Sequence, residues 1–170
     1  MSPTRAFIQQ VMKDLASRYT KDTMDVLDIG TAGNLKGEND VWFGDRAKSY
    51  KTLDKLPELH PDIVADITEM PQVPSNSFDI VICSQTIEHV KPQLAKDAVI
   101  EMHRILRPGG LLILDSPGRM VEYHPEPGFD HYGWYTAPGL WQLLSAADFE
   151  LLGDETKQHD LLCLVVGRKK

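Results

Sequence analysis

Apolar residues near the start of the chain fall at helical spacing. Phe7, Val11, Met12, Leu15 and Tyr19 share one face when the repeat is 3.6 residues. This predicts an amphipathic helix from Pro3 to about Tyr19, with Pro3 in the first turn, where a missing N–H is no loss. The pattern then changes to short apolar runs between polar stretches: DVLDIG, SYKTLD, DIVAD and FDIVICS. A second helical pattern, from about Gln93 to Leu106, carries Leu94, Val99, Met102 and Leu106. Arg107-Pro108-Gly109-Gly110 ends it, because proline and paired glycines break helices. LLILDSP follows as a strand, and Thr136-Ala-Pro-Gly-Leu opens a helix bearing Leu140, Leu143, Leu144 and Ala147. FELLG and LLCLVVG read as two late strands, close enough in sequence to pair antiparallel.

Runs such as IVIC and LLILD are continuous rather than alternating, which marks strands covered on both faces. Strands interleaved with helices predict an α/β chain with a Rossmann-like, doubly wound and mostly parallel sheet. A length of 170 residues suits one domain with one sizeable core. Within it, residues 1–20 form the N-terminal helix, and residues 118–136, rich in Pro, Gly, His and aromatics, form a substrate-side loop. Between the first two strands Lys36-Gly37-Glu38-Asn39-Asp40 makes a poor helix interior, so at most a short helix is expected around Asp45 to Ser49. Val41-Trp42-Phe43 is expected to fold over the first strand as core, in preference to closing over a ligand as a lid.

The net charge of −7, with basic residues scattered except at Arg168-Lys169-Lys170, makes a nucleic-acid partner unlikely, since that usually requires a basic face. Cys83 and Cys163 both sit inside apolar runs and read as buried core thiols. No apolar run approaches the ~20 residues of a membrane span, and the N-terminus lacks a signal-peptide core. The expectation is a cytoplasmic domain with no membrane partner.

In such a sheet, ligands sit beyond the carboxyl ends of the strands, near the point where strand order reverses. The residues at those ends are Asp28, Gly30 and Thr31; Asp54; Asp66 and Ile67; and Ser84 and Gln85, with Glu88-His89 one turn on. A carboxylate after the second strand can accept two hydrogen bonds from a ribose diol, and Gly30 would let a ligand approach the backbone closely. Asp66 could accept from an adenine amino group while the Ile67 N–H meets a ring nitrogen. Any one of these acids is more often a cap or turn former; several in order along one sheet form a site. The first turn lacks G-x-G-x-x-G, because Ala32 and Asn34 stand where further glycines are expected, which argues against a nicotinamide-dependent oxidoreductase.

VLDIG, TLDKL, ADITEMP, SFDIVICSQTIEHV and EMHRILRPGGLLILDSP resemble, in order, the motifs of class I S-adenosylmethionine-dependent methyltransferases of the small bacterial and phage-type, methyltransferase type 11-like group. The similarity runs from about Asp25 to the C-terminus, and IEHV, HRILRPGG and LLIL together are its specific part. YHPEPGFDHYGWYTAPGL resembles an aromatic-rich segment of the same group. The resemblance implies a seven-stranded sheet with a final antiparallel strand and S-adenosyl-L-methionine as cofactor. It implies that Asp28, Gly30 and Thr31 line the methionine end. Asp54, with Lys55 beside it, would hold the ribose, Asp66 and Ile67 the adenine, and Ser84 and Gln85 would flank the sulfonium. Ala32 and Asn34 are compatible with this cofactor, since Asn tolerates positive φ and there is no pyrophosphate to cradle.

Methyl transfer requires donor and acceptor atoms to be aligned and water to be excluded. A hydroxyl acceptor adds the need for a general base, for which histidine is suited near pH 7. His131 and His89 are the candidates. Tyr123, His124, Tyr132, Trp134 and Tyr135 would shape the acceptor pocket, and His103 reads as structural. The expected acceptor is a hydroxyl, or an amine, on a small molecule or glycan. A homodimer or protein partner, and a catalytically silent cofactor-binding module, stay open. Glu88-His89 offers two adjacent metal ligands with no clear third, so no metal is expected.

Overall fold

The computed structural model describes residues 3–30, 38–118, 130–160 and 162–170. In chain order the elements are α1 (Pro3–Tyr19), β1 (Asp25–Ile29), α2 (Glu38–Phe43), β2 (Ser49–Asp54), β3 (Ile63–Val64) and β4 (Phe78–Cys83). There follow α3 (Ala95–Ile105), β5 (Leu106–Pro117), α4 (Ala137–Ala146), β6 (Phe149–Leu151), β7 (Lys157–His159) and β8 (Leu162–Lys169). The sheet order is β3-β2-β1-β4-β5-β8-β6, with β7 also paired to β8. β1 to β5 run parallel, and β8 is antiparallel to β5, β6 and β7. The sheet is therefore the doubly wound, mostly parallel one that the strand pattern predicts, with β8 inserted antiparallel between β5 and β6. Its eighth strand is β7, whose Lys-Gln-His sequence carries no apolar signal from which it could be read.

Alternate residues of the continuous runs feed two cores. Leu27, Ile29, Val81, Cys83, Leu112 and Leu114 face α3 and α4. Val26, Ile80, Ile82, Ile113, Leu164 and Val166 face α1 and Phe43 of α2. Burial on both sides is what makes these strands apolar throughout. Both cysteines are free and buried. Thr136 caps α4, its hydroxyl accepting from the Gly139 N–H at 3.3 Å, with Pro138 in the first turn.

The segment after β1 departs from expectation. Its helix is at Glu38–Phe43, followed by a 3-10 turn at Gly44–Arg46, rather than around Asp45 to Ser49. Six residues are too few to hold a helix by propensity; burial holds this one, since Phe43 is fully enclosed and Asn39 buried. Trp42 packs against the α1-side core, so it acts as core and not as a lid.

α3 organises the chain that leads from β3 into β4. The Arg104 guanidinium donates to the carbonyls of Val73 and Met70, both at 2.8 Å, and pairs with Glu101. Glu101 in turn accepts from the Met70 N–H at 2.7 Å. At the amino ends of the strands, Arg107 bridges Asp79 at 2.5 Å and Asp25 at 2.9 Å, joining the starts of β5, β4 and β1. Replacing Arg104 with Met removes two carbonyl partners and leaves Glu101 without its cation. Because the pair is partly exposed, the expected loss is about 2 kcal/mol, read as a lower urea midpoint at unchanged slope.

Candidate active site

Strand order reverses between β1 and β4: from β1 the chain moves outward through β2 to β3, then returns to β4 and moves the other way to β5. At this point the chain after β1 presses on the chain after β4. Gly30 has φ +76°, and a Cβ there would lie 1.9 Å from the Thr86 hydroxyl. That hydroxyl lies 2.9 Å from the Ser84 carbonyl and 3.3 Å from that of Ile29. The Gly30 N–H donates to Leu53 O at 2.8 Å, tying the same turn to β2. Thr31 lies outside the described residues.

Two buried carboxylates stand beside this junction. Asp28, on β1, accepts from the Tyr50 hydroxyl at 2.5 Å and from the Asn39 amide at 3.2 Å. Asp115, on β5, is fully buried and accepts from the Gln85 side chain at 2.6 Å and, more weakly, from its backbone N–H at 3.3 Å. Its Oδ2 has no hydrogen-bond partner. Burial pushes each carboxyl up to about 6, and the Asp115 charge adds to the shift at Asp28. Gln85 reaches Asp115 from a left-handed backbone, φ +51°. The strand-end pattern finds Asp28, Ser84 and Gln85. It misses Asp115, Tyr50 and Asn39, although an Asp closing the apolar run LLILD was a usable signal for the first.

Along the rim, Asp54 is buried, with Oδ1 accepting from the Leu56 N–H at 3.0 Å. Asp66 is exposed, with Oδ1 accepting from Thr68 N at 2.9 Å and Oγ1 at 2.6 Å. Both acids thus stitch their own turns, as strand-end aspartates commonly do. Lys55 is exposed and Ile67 is buried in the α3-side core.

On the other flank, the chain after β4 meets the chain after β5. The Tyr132 N–H donates to Glu88 O at 2.8 Å, and His89 Nδ1 lies 3.1 Å from Asp130 O. His89 and His131 stack edge-on at 4.6 Å, and His131 meets Trp134 at 5.4 Å. Burial depresses the pKa of both histidines. Tyr132 and Trp134 are 45% and 49% exposed, forming an aromatic surface. Tyr135, expected on that surface, instead packs against the α3-side core, and its hydroxyl is buried without a hydrogen-bond partner. Tyr123 and His124 lie outside the described residues. His103 stacks on Phe149 at 4.9 Å, away from the site, in the structural role expected of it.

A family model described as a methyltransferase domain matches residues 40–114. Over 142 residues the chain is 28% identical to the ubiquinone/menaquinone biosynthesis C-methyltransferase UbiE of Neisseria meningitidis, covering 78% of this chain and 56% of that protein. The chain thus spans about half the length of this relative. Among solved structures it resembles a Burkholderia thailandensis 1,6-didemethyltoxoflavin-N1-methyltransferase with bound S-adenosylhomocysteine, at TM-score 0.70 and 18% identity over 95% of this chain and 79% of that one. It also resembles a SAM dependent methyltransferase from Aquifex aeolicus, at TM-score 0.71 and 19% identity over 99% and 94% of the two chains. Residues 40–114 thus match a methyltransferase domain, and the fold is the one these methyltransferase structures share.

The two buried carboxylates carry a stability penalty with a definite pH signature. An acid whose folded pKa exceeds its unfolded value binds its proton more tightly when folded. The contribution of Asp28 and Asp115 is therefore best in acid and worsens as pH rises from about 4 through 6. Asp115→Asn keeps an acceptor for Gln85 and removes the charge. It is expected to stabilise the free protein at pH 8 by about 1–3 kcal/mol, a gain that vanishes near pH 4; urea unfolding at the two pH values measures it.

Proposed function

We propose that this chain is an S-adenosyl-L-methionine-dependent methyltransferase that moves the methyl group to a hydroxyl, or an amine, of a small-molecule or glycan acceptor. The observation that carries the reading is the pair of buried acids at the strand-order reversal, one with an unpartnered oxygen. Unpaired buried negative charge is unfavourable and is relieved by a cation, and this cofactor carries both an ammonium and a sulfonium. In this reading Asp28, Gly30 and Thr31 line the methionine end, with Asp115 as a further contact, and Ser84 and Gln85 lie near the sulfonium. Asp54 and Lys55 hold the ribose, and Asp66 and the Ile67 backbone hold the adenine.

The reaction is an in-line displacement. An acceptor lone pair forms the new bond to the methyl carbon, the carbon–sulfur bond breaks with its electrons to sulfur, and the acceptor loses a proton. Alignment and exclusion of water supply most of the catalysis. In this reading His131 and His89 assist the acceptor, and the exposed rings of Tyr132 and Trp134 suit stacking on a ring or sugar, with Tyr123 and His124 assigned to the same pocket.

A carbon acceptor is the second reading, favoured by the C-methyltransferase name of the Neisseria relative. A silent cofactor-binding module is the third, since the helix after β1 has only six residues.

Calorimetric titration with S-adenosylmethionine and S-adenosylhomocysteine, with NADH as control, tests the cofactor. The expected result is a Kd on the order of micromolar for the first two and none for NADH, with Asp54→Ala abolishing binding. No binding to the folded protein would overturn the reading. His131→Ala is expected to lower turnover by roughly 100-fold or more while leaving cofactor affinity nearly intact; a parallel loss of affinity would move His131 to the cofactor side.

A further inference from the structure

The sequence offers Glu88 and His89 as adjacent ligands, and the fold supplies a third. One ligand atom from each of Glu88, His89 and His131 lies within 4.8 Å of the others. The three come from separate segments: Glu88 and His89 from a 3-10 turn after β4, His131 from the irregular chain before α4. The backbone bond from Tyr132 to Glu88 holds the segments together.

Glu88 is the decisive residue. Its side chain is 1% exposed, and Oε2 has no hydrogen-bond partner. No Lys or Arg pairs with it among the described residues. A carboxylate enclosed in this way either carries a proton or faces a cation, and two imidazoles at its side suit the second case. His89 is already oriented for ligation. Nδ1–H donates to the Asp130 carbonyl, which orients the ring in the way second-shell partners orient metal-bound histidines.

We propose that Glu88, His89 and His131 bind one divalent transition-metal ion, Zn²⁺ best suiting the donor set. Two imidazoles and one carboxylate are a common set for such an ion with a position left open. Bonds of about 2.0–2.2 Å ask the three donors to close by roughly 1 Å, which His131, outside any helix or strand, can supply. Trp134, assigned to the acceptor, lies beside His131 at 5.4 Å. There the ion would bind an acceptor oxygen and lower its pKa, a Lewis-acid role. The histidines would then serve as ligands and not as bases. That catalytic role rests on the methyl-transfer reading; ion binding does not.

The test uses the untagged full chain, stripped with chelator. Zn²⁺ affinity is measured by competition with a chromogenic chelator, and Co²⁺ loading by its visible ligand-field bands. One Zn²⁺ per chain is expected, with His131→Ala and His89→Ala each weakening it at least about tenfold and abolishing the Co²⁺ bands. Circular dichroism melts and S-adenosylmethionine affinity on the same samples show that the variants are folded. Failure to bind Zn²⁺, or binding that survives both substitutions in folded protein, would overturn the proposal. An ion lost in the variants from a chain that binds no S-adenosylmethionine would sustain the metal site and sink the methyl-transfer reading.

Discussion

The contact between Gly30 and Thr86 is the constraint around which the functional end of the molecule is arranged. In a parallel sheet the chain leaves neighbouring strands on the same side, so the segments after β1 and β4 compete for one space. Here they share it only because position 30 has no side chain: a Cβ would fall 1.9 Å from the Thr86 hydroxyl, and φ is positive. The β1–β4 register, with Ile29 opposite Cys83, carries Ser84 and Gln85 out beside this turn. Gln85, turned into a left-handed conformation, then reaches across to Asp115 on β5. Three strands thus deliver polar groups to one place through a single backbone contact.

What gathers there is unfavourable in isolation. Two carboxyls held near pKa 6 by burial lie in a sheet whose other buried positions are mostly apolar, and Glu88 on the opposite flank is similarly enclosed. Stability elsewhere makes this tolerable: the two cores, the Arg104 fork and the Arg107 bridges. The separation is spatial, since the Arg107 bridges lie at the amino ends of the strands and the buried acids at the carboxyl ends. The uncompensated charge marks where a cationic ligand would gain most.

Much of this was legible in the sequence, for identifiable reasons. Continuous apolar runs can only be strands covered on both faces, so FDIVICS and LLILDSP announced the central sheet, and helical spacing announced α1, α3 and α4. Asp28, Gly30, Ser84 and Gln85 were legible because strand ends at a reversal converge by geometry alone. Asp54 and Asp66 were legible as well, together with their alternative use in closing local turns. The rest depended on tertiary contact. α2 forms because Phe43 and Asn39 are buried, which local propensity opposes. β7 exists because β8 offers it an edge. Asp115 looked like the end of an apolar run, and its pairing with Gln85 depends on one residue's positive φ. The third member of the Glu88-His89 group is 42 residues beyond His89 in sequence (131 − 89) and adjacent only after β5 and its exit segment have folded back.

The margins of the sheet bear on how the chain meets others. One side ends in β3, two residues long; the other ends in β6 and β7, three residues each, laid end to end along β8. A strand that short offers too few free backbone groups to template an incoming chain. Lengthening of the sheet by a second copy is thereby disfavoured at β3, β6 and β7. Among the described residues, helix faces and the aromatic rim offer another protein broader surfaces than these short strands do.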